Sequence, residues 1–242
     1  RATGGAFDPT VRPAHRLYRF TGREEALPAP DALARAMERV GLSRHAFDPA
    51  SRRLTAGPGG VDLDFGGVGK GYANDRAADA VADLGIRDAL LTLGGEVRTL
   101  GARLDGNPWR IGIRDPRDAK SLVAEIDARP GEAFSTSGGC EKHFLSGGVR
   151  QPHVLDARTG RPAADAPESV TVIYRAPDGV PPPMDRAGAV ADALATGLLV
   201  VGPGSVGEVL RGRVLDAAVD DASQDLGELL LDHGELAQGE GR

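Results

Sequence analysis

The chain of 242 residues carries 29 Lys and Arg against 35 Asp and Glu. The resulting charge of −6, spread along its length, argues against nucleic acid or an anionic membrane as partner, since both need a basic surface. Its single cysteine, Cys140, excludes an internal disulfide framework and any multi-cysteine metal site, and no stretch reaches the roughly 18 apolar residues of a membrane span. Only 4% of residues are aromatic, so Ala, Val and Leu must fill the core, while 34 Gly and 17 Pro predict many turns and glycine-built loops. The first residue is Arg1 rather than Met, which predicts a processed, trimmed or incomplete N-terminus.

Apolar period and punctuation place a short helix at residues 31–40, with Asp31 as its cap and Leu33, Met37 and Val40 on one face. Residues 61–65 read as a strand running into Gly66-Gly67-Val68-Gly69-Lys70-Gly71, and a helix follows from about Tyr72 to Leu84, stopped by Gly85. Ala89–Leu93 reads as a buried strand, and residues 97–100, 109–113 and 122–127 as strands of an antiparallel part. Residues 132–137 lead into a loop at Gly138-Gly139. Residues 153–155 read as a short strand closed by a turn over 156–160, and residues 170–174 as another strand. Beyond a break at Pro181–Pro183 comes a small-residue helix over Ala187–Val201. From Pro203 we expect one more helix, a last strand and a loose polar tail from Gly234. Helices and strands mix without strict alternation, which predicts a single domain of α+β (mixed α/β) class.

Four segments have the residue types for chemistry. In Asp64-Phe65-Gly66-Gly67-Val68-Gly69-Lys70-Gly71, glycines allow a close backbone approach to a ligand, and the next helix aims its free N–H groups at the bend. Lys70, one of three lysines, would neutralise an anion there. Neither common phosphate pattern fits: Walker A needs a glycine where Asp64 stands, and the dinucleotide fingerprint one where Tyr72 stands. Phosphate binding and a plain strand-to-helix turn with a surface lysine both remain open. In the helix Ala187–Val201, Asp192 and Thr196 are four apart and share a face with the small Gly188, Ala189 and Ala195, while Val190, Leu194 and Leu198 lie opposite. A carboxylate and a hydroxyl on a cleared face suit Mg²⁺ or Ca²⁺ more than Zn²⁺, and equally suit bonding to neighbouring backbone. Phe134-Ser135-Thr136-Ser137-Gly138-Gly139-Cys140 describes a polar cradle or an ordinary turn, and a nucleophilic Cys140 would need a thiolate-stabilising environment. In His153-Val154-Leu155-Asp156-Ala157-Arg158-Thr159-Gly160, Asp156 fits a turn bonding its own backbone, and His153 is either structural or a general base.

In this order, and together with Gly5-Ala6-Phe7-Asp8-Pro9-Thr10-Val11, Leu93-Gly94-Gly95-Glu96-Val97 and Ala191-Asp192-Ala193-Leu194-Ala195-Thr196, these segments resemble the ApbE family of FAD:protein FMN transferases. The resemblance runs from about Gly4 to Gly202 and implies that the family's N-terminal third is absent. It departs from the family pattern at Arg12, Gly139-Cys140 and Ala157. It implies Mg²⁺-dependent cleavage of FAD, transfer of FMN to a Ser or Thr of an acceptor flavoprotein, and release of AMP. FAD hydrolysis, or flavin binding without turnover, are the alternatives. It implies that Ala6, Phe7, Asp8, Asp64, Lys70 and Leu155 line the FAD site, with Ser137 of the hydroxyl segment beside them. It further implies that Asp192, Thr196 and the carbonyls of Gly67 and Ala195 hold Mg²⁺, and that His153 is the base for the acceptor hydroxyl. Membrane-associated redox complexes are among the partners it suggests, and family members often act in the periplasm or cell envelope.

Overall fold

The computed structural model describes residues 3–20, 27–118, 120–139, 143–163, 166–176, 186–202, 212–216 and 227–231. At its start, Asp8 caps a 3-10 turn over Pro9–Val11, its Oδ1 accepting from the Thr10 N–H at 2.9 Å, and α1 (Arg12–Tyr18) follows. In α2 (Pro30–Met37), Pro30 takes the first position and Ala29 the cap, so Asp31 faces the helix dipole from the first turn instead of capping the end. β1 (Ala46–Asp48) and β2 (Arg53–Thr55) form a hairpin.

Residues 61–65 form no strand. The Asp64 N–H donates to the Pro9 carbonyl at 2.6 Å, so this extended segment is tied to the N-terminal turn rather than to a sheet. α3 (Gly69–Asp83) begins three residues before the expected start at Tyr72. Lys70 therefore belongs to a first helical turn and not to the glycine loop.

β3 (Ala89–Leu93) and β4 (Glu96–Leu100) lead to a hairpin of β5 (Trp109–Arg114) and β6 (Leu122–Ala128). Then come β7 (Glu132–Gly138), a hairpin of β8 (His143–Ser146) and β9 (Val149–Pro152), a pair of β10 (Leu155–Asp156) with β11 (Arg161–Pro162), and β12 (Ser169–Arg175). α4 (Ala187–Val201) has the bounds the sequence predicts, and β13 (Gly212–Asp216) and β14 (Gly227–Leu231) close the order. The expected single strand over 153–155 is interrupted, with His153 between β9 and β10. The turn after it is as read: the Asp156 carboxylate accepts from the Arg158 N–H at 2.9 Å.

The main sheet is antiparallel in the order β14-β13-β12-β7-β4-β3. β3, expected buried, is its edge, with Leu90 and Leu93 exposed, because β4 covers only one side. Period-two alternation divides the central strands between two layers. Ala133, Val170 and Val172 pack on Leu194, Leu198 and Leu199 of α4, while Phe134 and Ile173 pack on Ile111, Ile113 and Ala128 of the β5–β6 hairpin. Leu198 is fully buried, and its truncation to Ala should cost about 2–5 kcal/mol. A third cluster of Ala14, Tyr18, Phe144 and Leu155 seats α1, where the Tyr18 hydroxyl donates to the Gly160 carbonyl at 2.9 Å.

Among the described residues no helix is long and apolar enough to cross a membrane. The expected helix from Pro203 has no counterpart at 212–216 and 227–231, which are strands; residues 203–211, the tail from Gly234, Pro181–Pro183 and Cys140 lie outside the described residues.

Candidate functional site

The N-terminal turn, the glycine bend, the β9–β10 junction and α4 meet around one shallow cleft open to solvent. It is lined by eight residues named from the sequence: Ala6, Phe7, Asp8, Asp64, Gly67, His153, Leu155 and Thr196. Lys70, Ser137, Asp192 and Ala195 do not line it. The Ser137 hydroxyl lies 3.2 Å from Thr196 Oγ1, and Ala195 is buried beside Thr196. Ser137 is the penultimate residue of a central strand, not part of a turn.

The N-terminal turn is built by its own side chains. Asp8 Oδ1 accepts from the Thr10 N–H and hydroxyl, and Oδ2 from the Leu42 N–H at 2.8 Å. With its oxygens so engaged, Asp8 shapes the cleft wall through the backbone it fixes. The Ala157 N–H donates to the Ala6 carbonyl at 3.0 Å, which joins this turn to the segment carrying His153.

Asp64 opens the glycine bend, its Oδ1 accepting from the Gly66 N–H at 2.8 Å. Arg12 stands 3.8 Å from its other oxygen, and His15 Nδ1 4.0 Å. His15 lines the cleft and was not singled out from the sequence. Asp8-Pro9, an N-cap residue followed by proline, was the available signal, since it starts the helical run that carries His15. Burial holds the His15 pKa below its ordinary 6.5, only partly countered by the Asp64 charge.

A charged cluster lies at the start of α3, next in the chain to the glycine bend. Lys70 forms an ion pair with Glu96 and stands 3.6 Å from Asp192 Oδ1. Asp192 Oδ2 accepts from the Gly71 N–H at 3.0 Å. Burial pushes the Asp192 and Glu96 carboxyls up, in spite of hydrogen bonds and the Lys70 charge that pull them down. For Lys70 burial acts downward, but the hydrogen bond and charge of Glu96, with Asp192, leave its pKa raised. Glu96, part of the Leu93–Val97 motif, is the second residue to which the sequence assigned no role, because its partner Lys70 is 26 positions away.

Among the described residues no cluster of three or more His, Cys, Asp or Glu side chains stands ready for a metal. The donors named for Mg²⁺ are of another kind: one carboxylate, one hydroxyl and two carbonyls, all hard oxygens. They fit such an ion on two observations. A Cβ on Gly67 would stand 2.6 Å from Thr196 Oγ1, so only the missing side chain keeps the bend open toward that hydroxyl. And the single Lys70 ammonium stands beside two carboxylates, Glu96 and Asp192, so the acids of this cluster outnumber its cations.

With this geometry the match to known proteins is consistent: the ApbE family profile covers residues 1–219, and the chain belongs to the ApbE family. It is 34% identical over 203 residues to the FAD:protein FMN transferase of Vibrio cholerae serotype O1, covering 83% of this chain and 57% of that protein. With the FAD:protein FMN transferase of Klebsiella pneumoniae it shares 35% identity over 213 residues, covering 86% and 58%. Among solved structures, the ApbE protein of Thermotoga maritima superposes with a TM-score of 0.71 at 32% identity, over 88% of this chain and 67% of that one. The apo flavinyl transferase ApbE of Pseudomonas stutzeri gives 0.71 at 30%, over 88% and 64%. The chain thus spans somewhat more than half the length of these two FAD:protein FMN transferases.

Proposed function

We propose that the chain transfers the FMN half of FAD to a Ser or Thr hydroxyl of a partner flavoprotein, releasing AMP, with Mg²⁺ as the required ion. The observation that carries this reading is the cleft itself, where Phe7, Asp64, Gly67, His153 and Thr196 converge, with the Lys70–Asp192 pair next in the chain to Gly67 and one helical turn from Thr196. The similarity to the FAD:protein FMN transferases of Vibrio cholerae and Klebsiella pneumoniae supports the substrate class.

In the proposed reaction the acceptor oxygen bonds to the phosphorus on the flavin side of the pyrophosphate. The bridging P–O bond breaks, and AMP leaves with the bridging oxygen. His153, at the cleft wall, takes the proton of the acceptor hydroxyl, a general-base contribution of about 10²–10⁴. Lys70 places a fixed positive charge behind the glycine bend, where negative charge builds on the phosphates. Ala6, Phe7 and Leu155 give apolar walls for the rings, and Asp64 shapes the bend beneath them. Asp192, Thr196 and the carbonyls of Gly67 and Ala195 would hold Mg²⁺, which when bound supplies charge neutralisation at the pyrophosphate oxygens.

The test is to incubate the purified chain with FAD and Mg²⁺, with and without a flavoprotein acceptor carrying a reactive Ser or Thr. AMP that depends on acceptor, with an FMN-sized mass gain on the acceptor, is the expected result. AMP without acceptor would reassign the chain as an FAD hydrolase, and bound FAD without AMP as a binding protein.

A further inference from the structure

We propose that Asp75 is the positioning residue that sets Asp192 in place, through reciprocal capping of α3 and α4. The inference rests on the reading of Asp192 as a metal-side carboxylate and extends it to a residue that does not line the cleft.

Each helix starts without a side-chain cap from its own flank: Val68 precedes α3 and Arg186 precedes α4. The first N–H groups of a helix need acceptors, especially when buried. Here each helix supplies the other. Asp192 of α4 accepts from the Gly71 N–H of α3 at 3.0 Å. Asp75 of α3 accepts from the Gly188 and Ala189 N–H groups of α4 at 2.8 and 2.9 Å. Gly71 and Asp75 are four apart on one helix, as Gly188 and Asp192 are on the other, so the exchange uses one face of each.

The crossing leaves no room for adjustment. A Cβ on Gly71 would overlap the Gly188 carbonyl and stand 2.8 Å from the Asp192 Cβ. The helices meet backbone to backbone, and a change in their angle carries Asp192 and Thr196 away from Gly67 and Lys70. Asp75 holds that angle from one turn further along α3, on the same Gly188 that touches Gly71. It is only 1% exposed, and Arg98 Nε lies 3.3 Å from its Oδ1. Arg98 and Glu96 point from one face of β4 toward α3, so the same strand that steadies Lys70 also steadies Asp75. Misplacement of a functional group by about 1 Å can cost on the order of 10²-fold in rate.

The experiment compares wild type, Asp75→Asn, the double variant Asp75→Asn with Arg98→Met, and Asp192→Ala. The double variant leaves no uncompensated buried guanidinium and supplies the test if the single one does not fold. The readouts are Mn²⁺ affinity by calorimetry with FAD present, FAD affinity, and hydrogen exchange at Gly188 and Ala189. In both Asp75 variants, exchange at these amides should accelerate and Mn²⁺ affinity fall by roughly tenfold or more, while FAD affinity stays within about twofold. Unchanged Mn²⁺ affinity in a folded Asp75 variant, with a loss in Asp192→Ala, would overturn the positioning role alone. So would recovery of full affinity on adding Arg98→Met, since Asp75 would then serve only to neutralise Arg98. Unchanged affinity in Asp192→Ala would overturn the metal reading itself, and the positioning role with it.

Discussion

The Lys70 ammonium lies 3.6 Å from the Asp192 carboxylate, across the crossing of α3 and α4, and is tethered from the sheet by Glu96. This places beside the glycine bend a cation whose protonation is favoured by two acids. Replacing Lys70 by Met should lower AMP release from FAD by about 10²–10³-fold, the loss typical of one electrostatic donor. Glu96→Gln should weaken it less, by about tenfold, because the ammonium survives but loses its charged tether. Steady-state release of AMP, with circular dichroism to check the fold, measures both.

Gly67 and Thr196 approach so closely that no Cβ fits between the bend and the hydroxyl. In Gly67→Ala the new methyl would meet Thr196 Oγ1 at 2.6 Å and the Phe7 ring at 2.9 Å. Relief of this overlap should cost about 1–3 kcal/mol. FAD and divalent-ion affinity should therefore both fall, by about tenfold or more. Titration calorimetry of each ligand is the direct check.

His153 faces the cleft from the junction between β9 and β10. If it accepts the acceptor proton, His153→Ala should slow transfer to protein by about 10²–10⁴-fold and leave FAD binding nearly intact. Equal losses in transfer and in FAD affinity would make it a residue of the wall.

The half-buried His15 has a folded pKa below 6.5. Between that value and 6.5 the unfolded chain binds more protons than the folded one, so stability rises with pH through this window and falls as pH drops below 6.5. His15→Gln should flatten the pH dependence of Tm between about pH 7.5 and pH 5. An identical slope in the variant would mean that other groups carry the effect.

Much of the site was legible because it rests on local signals. The spacing of Asp192 and Thr196, the small residues around them and the glycine run before α3 are all visible within single segments. So was α4, whose run of small and apolar residues from Ala187 to Val201 is interrupted only by Asp192 and Thr196. Long-range pairing was not. Val61, Leu63 and Phe65 alternate like a strand, but the nearby Asp64 amide bonds to Pro9 and the segment joins no sheet. The apolar run Ala89–Leu93 reads as buried, yet its place at the sheet edge exposes it. Asp75 looks like one polar residue on a helix until α4 folds back from 113 positions away. Glu96 and Arg98 acquire meaning only when β4 turns that face toward α3.

The most direct measurement is Mg²⁺-dependent release of AMP from FAD by wild type and by Asp192→Ala, both shown to be folded. If a divalent ion held between the glycine bend and α4 polarises the pyrophosphate, the variant should release no AMP above background at any Mg²⁺ concentration. Release at the wild-type rate, with the same dependence on Mg²⁺, would contradict that account.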